Sequence, residues 1–260
     1  MIIKPRVDIL PEAQKILWPM LREIPKDFVL YGGTAIALRY GHRKSVDFDF
    51  FSSLSDNAIT NSTCELPFIK KFAVNYTSPY LQTAASASQV IYDLDMGKGE
   101  LVEITFMRDP NFVGGAINSP HVSIDNGVKI ASPLDLMATK INAVLFRQSV
   151  KDLVDIAEMI RNKVSFSRGF AYAMALKAPY LPQIGSDYSH LLNAMSSNEF
   201  YVDSFARDKN APIELKHLVN QVSGIITKEA EKLSIARLLS VKLKVSPHLH
   251  NVRERDECER

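Results

Sequence analysis

Two adjacent glycines at the end of an apolar run constrain this chain more than any other feature. In FVLYGGTAIALRYGHRKSVDFDFF, residues 28–51, Phe28 to Tyr31 read as a buried strand that Gly32 and Gly33 interrupt. Thr34 is a residue type suited to starting a helix, which Ala35, Ile36, Ala37 and Leu38 continue until Gly41 stops it. The strand that follows carries Asp47 and Asp49. Successive strand side chains point to opposite faces, so the two acids share one face about 7 Å apart, and Val46, Phe48 and Phe50 take the other.

Neighbouring carboxylates resist joint ionisation unless a cation sits between them, and hard oxygen ligands of this kind suit magnesium or manganese. The helix tip offers unpaired backbone N–H groups, and Gly32 and Gly33 let a polyphosphate come close to the main chain. A nucleoside triphosphate would thus be gripped at one end and metallated at the other. Each piece alone is ordinary: Gly-Gly is commonly a turn, and Asp-Phe-Asp commonly a strand showing its polar face to water. Asp93 and Asp95, in VIYDLDM, alternate in the same way without a glycine turn before them. They read as the solvated face of a hairpin strand.

The segment GGTAIALRYGHRKSVDFDFF resembles the signature of the AbiEii/AbiGii abortive-infection toxins, a branch of the polymerase-beta-like nucleotidyltransferases. Arg43, Ser45, Asp47 and Asp49 fall on its R-x-S-x-D-x-D pattern. DLMATKINAVLFRQSVKDLVDIAEM resembles the second half, with Lys140, Arg147, Lys151, Asp152 and Asp155 in the K, R, KD-x-x-D spacing. The resemblance implies a metal-dependent enzyme moving a nucleoside monophosphate from a nucleoside triphosphate to a hydroxyl acceptor. Asp47 and Asp49 would bind metal and act in catalysis. Gly32, Gly33, Thr34, Ser45 and Lys140 would face the nucleotide, and Asp155 would orient the acceptor or assist its proton transfer. Further implications are a toxin with a separate antitoxin protein, and an RNA end such as that of transfer RNA as acceptor. A small-molecule acceptor and a non-catalytic nucleotide-binding module are the alternatives.

Enzymes of this group use a third carboxylate on a strand beside the first pair. In GELVEITFM, Val102, Ile104 and Phe106 bury one face and place Glu103 with Leu101 and Thr105 on the other, so Glu103 rather than Glu100 is the expected third metal ligand. Ser132-Pro133-Leu134-Asp135 reads as a capped helix start, and that helix should run past Lys140. Asp152 reads as an acid favouring the dipole of the next helix, while the roles of Arg147 and Lys151 stay open between acid and phosphate. His42, beside Gly41, could touch phosphate, and reads more economically as a surface residue after a helix end. Arg43, Lys44, Lys70 and Lys71 are candidates for an RNA-facing patch.

The expected fold is α/β: a mixed-sheet polymerase-beta-like lobe over residues 1–131, a mostly helical lobe over 132–246 interrupted by the APYLPQIG loop and Pro212, and a disordered tail over 247–260. Within the first lobe, a helix is expected over Glu12 to Arg22. Strands are expected over Gln89 to Asp95 and Glu100 to Met107, and a hairpin over His121 to Ile124 and Val128 to Ala131 about an Asp-Asn-Gly turn. With 46% hydrophobic residues in 260, the chain can bury a sizeable core, and a formal charge of +2 neither demands nor excludes nucleic acid. Cys64 and Cys258 lack metal-ligand spacing and fit a reducing cytoplasm. No apolar run approaches a membrane span of about 20 residues, and MIIKPRVDIL lacks a signal-peptide core. His248 and His250 lie in the charged tail and read as surface residues.

Overall fold

The computed structural model describes residues 1–77, 89–97, 99–108, 118–146, 149–177 and 224. Arg147, Cys258, the APYLPQIG loop, the expected helices towards Val245 and the tail with His248 and His250 lie outside these residues.

The strands are β1 (Ile2–Ile3), β2 (Val29–Tyr31), β3 (Asp47–Ser52), β4 (Ala73–Thr77), β5 (Gln89–Asp95), β6 (Leu101–Arg108), β7 (His121–Ser123) and β8 (Lys129–Ile130). They form one eight-stranded mixed sheet in the order β1, β7, β8, β2, β3, β6, β5, β4. β3 runs antiparallel to β2 and parallel to β6, which puts the strand of the Asp-x-Asp pair at the centre of the sheet. Helices α1 (Glu12–Leu17), α2 (Gly32–Tyr40), α3 (Asp56–Cys64), α4 (Pro67–Phe72), α5 (Pro133–Phe146), α6 (Val150–Arg161) and α7 (Phe166–Lys177) complete the described part.

Alternation sets the core. Phe48 and Phe50 of β3 and Val102, Ile104 and Phe106 of β6 are buried, and Phe50 stacks on Phe106 with ring centroids 5.6 Å apart while Phe28 meets Phe106 edge-on at 5.1 Å. Val46 was expected on that buried face. It precedes the first residue of β3 and is exposed. One hydrophobic cluster continues from these strands through Ile130 and Ala131 into α5, α6 and α7, so the helices after Ala131 pack directly on the sheet's own core.

Local departures from the sequence reading have simple causes. The helix expected over Glu12 to Arg22 is α-helical only to Leu17 and tightens into a 3-10 segment over Trp18–Glu23, where Pro19 has no N–H to continue the ladder. Strand β6 starts at Leu101 rather than Glu100, whose N–H closes the preceding turn on Gly97. The Asp125-Asn126-Gly127 turn forms as expected: Gly127 takes a positive φ of 72°, and Asn126 accepts from the N–H of Val128.

Helix α5 begins with the expected cap. The Asp135 N–H donates to Ser132 Oγ, and Ser132 Oγ–H donates back to Asp135 Oδ2. Burial pushes Asp135 up to about 6, with hydrogen bonds from Ser132 and Asn118 offsetting part of that rise. The folded state therefore holds this proton more tightly than the unfolded chain, and ionisation of Asp135 opposes folding. Stability is expected to fall as pH rises from the ordinary aspartate range, about 4, to about 6, and to stay lowered above that. Asp135→Asn should flatten this part of the melting temperature against pH curve. Phe50→Ala, at a fully buried central position, is expected to destabilise the fold by about 3–5 kcal/mol in a denaturant titration.

Candidate active site

The sheet's central strands deliver the two acids to the glycine turn. Gly32 has φ of +70°, and a Cβ built on it would stand 2.0 Å from Asp49 Oδ2. The Asp49 carboxylate therefore occupies the space that any side chain at position 32 would need. A Cβ on Gly33 would stand 2.5 Å from Arg43 Nη2 and 2.9 Å from Ser45 Oγ. The first turn of α2 is thus bordered by Asp49 on one side and by Arg43 and Ser45 on the other, with its backbone N–H groups between an acid and a cation.

Helix α2 begins at Gly32, two residues before Thr34, the expected start. Thr34 is fully buried, and its hydroxyl donates to the Asp47 carbonyl. That bond ties the helix tip to the first residue of β3 and leaves Thr34 only its backbone N–H to offer a ligand. At the other end, Gly41 takes φ of 67° and its N–H bonds the Ala37 carbonyl, a left-handed stop that turns the chain back towards α6.

A row of acids crosses the sheet from this point. Asp47 pairs with Glu103 on β6, and Glu103 pairs with Asp93 on β5. Burial and the negative charges of Asp47 and Asp93 raise the Glu103 pKa, opposed by a hydrogen bond with Thr105. Asp93 is consequently part of the row, half-buried and hydrogen-bonded by Asn75, whereas Asp95 is exposed as the hairpin reading expected. Among the described residues no group of three or more His, Cys, Asp or Glu side chains could by itself hold a metal ion. Magnesium nonetheless fits Asp47 and Asp49, because it commonly takes only one or two protein carboxylates and completes its shell with phosphate oxygens and water.

Behind the glycine turn lies a buried ionic cluster. Asp155 on α6 accepts from Arg43 Nε at 2.6 Å and Arg43 Nη2 at 2.7 Å, meets His42 Nε2 at 2.7 Å, and pairs with Lys140 Nζ at 2.9 Å. Lys140 also donates to Asp152 Oδ1 at 2.8 Å. Burial alone would push the Asp155 pKa up; the hydrogen bonds from His42 and Arg43 and the charges of Lys140 and Arg43 override it and hold the carboxyl well below the usual range. Asp155 thereby joins α6 to the cations of α5 and of the segment after α2.

A sequence profile of the nucleotidyltransferase AbiEii toxins of type IV toxin-antitoxin systems matches residues 20–209, which include both the glycine turn and the ionic cluster. The chain belongs to the AbiEii family. The solved structure of MenT4, a nucleotidyltransferase toxin from Mycobacterium tuberculosis, shares the fold with a TM-score of 0.56 and 14% identity over 92% of this chain and 89% of that one. An uncharacterized protein of Aquifex aeolicus is 31% identical over 142 residues, 53% of this chain. The match spans 60% of that relative's length.

Of the residues read from the AbiEii pattern, the structure gathers Gly32, Gly33, Ser45, Asp47 and Asp49 about the helix tip, and Lys140, Asp152 and Asp155 into the cluster behind it, while Glu103, read from strand alternation, pairs with Asp47. Asp152 lies in the first turn of α6 as expected, but its carboxylate also takes the Lys140 ammonium. Arg43 does not join an RNA-facing patch: Asp155 and the Lys44 carbonyl hold its guanidinium inside. Lys70 pairs with Glu65, and Lys71 lies over the Phe72 ring. His42 was read as a surface residue and is buried against Asp155. The signal that would have found it is Gly41, whose left-handed stop throws the next two side chains inward.

Gly32→Ala should displace Asp49 and abolish triphosphate binding in an equilibrium assay. Gly97→Ala is the control, since Gly97 also has positive φ (95°) but nothing within 4 Å of its added Cβ. Each change is expected to cost about 1–2 kcal/mol of backbone strain, and only the first to remove binding.

Proposed function

We propose that this chain is a nucleotidyltransferase that moves a nucleoside monophosphate from a nucleoside triphosphate to a hydroxyl acceptor. The observation that carries the reading is the Asp49 carboxylate seated against the Gly32 helix tip, with Asp47 two residues away on the same strand. The Gly32-Gly33 turn and its N–H groups receive the triphosphate, Ser45 and Arg43 border it, and Asp47 and Asp49 hold the divalent cation with Glu103 alongside. The chemistry supplied by a bound magnesium or manganese ion is neutralisation of phosphate charge and a lowered pKa for the acceptor hydroxyl. Lys140 lies at the rear of the site between Asp152 and Asp155, and Asp155 fixes Lys140 and Arg43 relative to the turn.

Family membership supports a toxin that acts in the cytoplasm with a cognate antitoxin protein, and an RNA end such as that of transfer RNA as acceptor. Among the described residues, no helix is long and apolar enough to cross a membrane. One observation favours a small-molecule acceptor instead. The acid row continues from Asp47 through Glu103 to Asp93, a surface that repels a phosphate backbone. Incubation with total RNA and each labelled triphosphate separates the two, because label transferred to RNA excludes the second reading.

Asp47→Asn and Asp49→Asn are each expected to lower transfer of labelled nucleotide by about a hundredfold or more, the scale of losing cation-assisted charge stabilisation. Undiminished transfer in the double variant would refute the assignment, and triphosphate binding without turnover on any acceptor would indicate a binding module.

A further inference from the structure

His42 belongs to the ionic cluster, and the reading above gives it no task. Its side chain is 5% exposed, and its Nε2 lies 2.7 Å from Asp155 Oδ1. Its Nδ1 is buried without a hydrogen-bond partner. A hydrogen on Nδ1 would therefore have no acceptor, whereas a hydrogen on Nε2 meets a carboxylate, so the geometry selects the tautomer that donates from Nε2. Among the described residues, Arg43 and Lys140 stand against Asp152 and Asp155 around it. His42 fixes the direction of one hydrogen bond that Asp155 Oδ1 receives.

That direction matters because Asp155 Oδ1 is shared. It accepts from His42 and from Arg43 Nε, while Oδ2 accepts from Arg43 Nη2 and pairs with Lys140. Fixing the plane of this carboxylate fixes the plane of the guanidinium it grips in bidentate fashion. The same Nη2 lies against Gly33 at the helix tip. Of the five N–H bonds of Arg43, Nε, one on Nη1 and one on Nη2 are engaged by Asp155 and the Lys44 carbonyl. Among the described residues the other donors of Nη1 and Nη2 have no hydrogen-bond partner, and Nη2 is the nitrogen beside Gly33.

We propose that His42 is a positioning residue for the triphosphate, holding Asp155 and, through Asp155, the Arg43 guanidinium against the Gly33 side of the helix tip. This rests on the reading that the glycine turn receives a triphosphate. The side chain is replaced by two amides that differ in reach. Gln places its nitrogen the same number of bonds from Cβ as His42 Nε2, whereas Asn places it at the reach of Nδ1, the nitrogen with no partner. Asn is also a methylene smaller than Gln, so a role confined to filling space would lower the melting temperature of His42→Asn without raising its dissociation constant for the triphosphate.

The test measures equilibrium binding of labelled ATP, CTP, GTP and UTP, each with magnesium chloride, to the full chain as wild type, His42→Gln and His42→Asn, together with melting temperatures. For the triphosphate that the wild type binds, the dissociation constant is expected to rise about tenfold in His42→Asn and to stay within about threefold of wild type in His42→Gln, the scale of one hydrogen bond to a charged group. In a transfer assay the same loss should appear in KM for the triphosphate, with kcat little changed. Equal binding in all three proteins, or equal loss in both variants, overturns the inference. If His42→Asn does not fold, a wild-type dissociation constant in His42→Gln supports the inference and a loss of about tenfold or more in that variant overturns it. Wild-type protein that binds none of the four triphosphates overturns the triphosphate reading itself.

Discussion

A carboxylate stands where a methyl group would be. Because Gly32 has no Cβ, Asp49 reaches the first turn of α2, and because Gly32 takes a positive φ, that turn can start directly from the end of β2. Electrostatics alone would attract an acid to a helix N-terminus, where the dipole and the unpaired N–H groups favour negative charge. In the function proposed above the helix tip would also receive the phosphates, so acid and phosphate would meet at one place with a cation between them. Remove the close approach and the two halves of the site become unrelated surface features.

The ionic cluster does for the rear of the site what the glycine does for the front. Asp155 and Asp152 arise from α6, Lys140 from α5 and Arg43 from the segment after α2, so three parts of the chain are locked together by charge-assisted hydrogen bonds around buried carboxylates. Burying such groups brings little net stability, since their desolvation offsets most of their attraction. Its effect is to specify one arrangement, because any other leaves a buried charge unpaired.

Much of this was legible in the chain. The alternation in DFDFF and LVEITF fixed which side chains are buried, and pairing of Asp47 with Glu103 follows from two strands whose polar faces must coincide. The glycine turn, the Ser132 cap and the Asp-Asn-Gly hairpin were equally plain, since each is a local backbone requirement. What escaped was tertiary. Strand-face logic could not show that Asp93 would sit beside Glu103 rather than in open solvent, because register between β5 and β6 depends on the turn that joins them. His42 and Arg43 look like ordinary surface residues until α6 is brought over them, and no periodicity encodes that packing. Thr34 is a suitable helix opener whose hydroxyl was instead drawn to a neighbouring carbonyl, a case of tertiary structure overriding local preference.

The sheet order has a consequence for how this molecule comes into being. β3 lies between β2, its near neighbour in the chain, and β6, which is reached only after the intervening helices and two further strands have been made. Parallel pairing of that kind has to close a long loop before it gains any contact, which makes it a late and slow event in folding. Asp155, later still, must leave the ribosome before Arg43 has its counter-ion. Until α6 has been made, a nascent chain therefore carries Arg43 without the carboxylate that grips it in the finished fold.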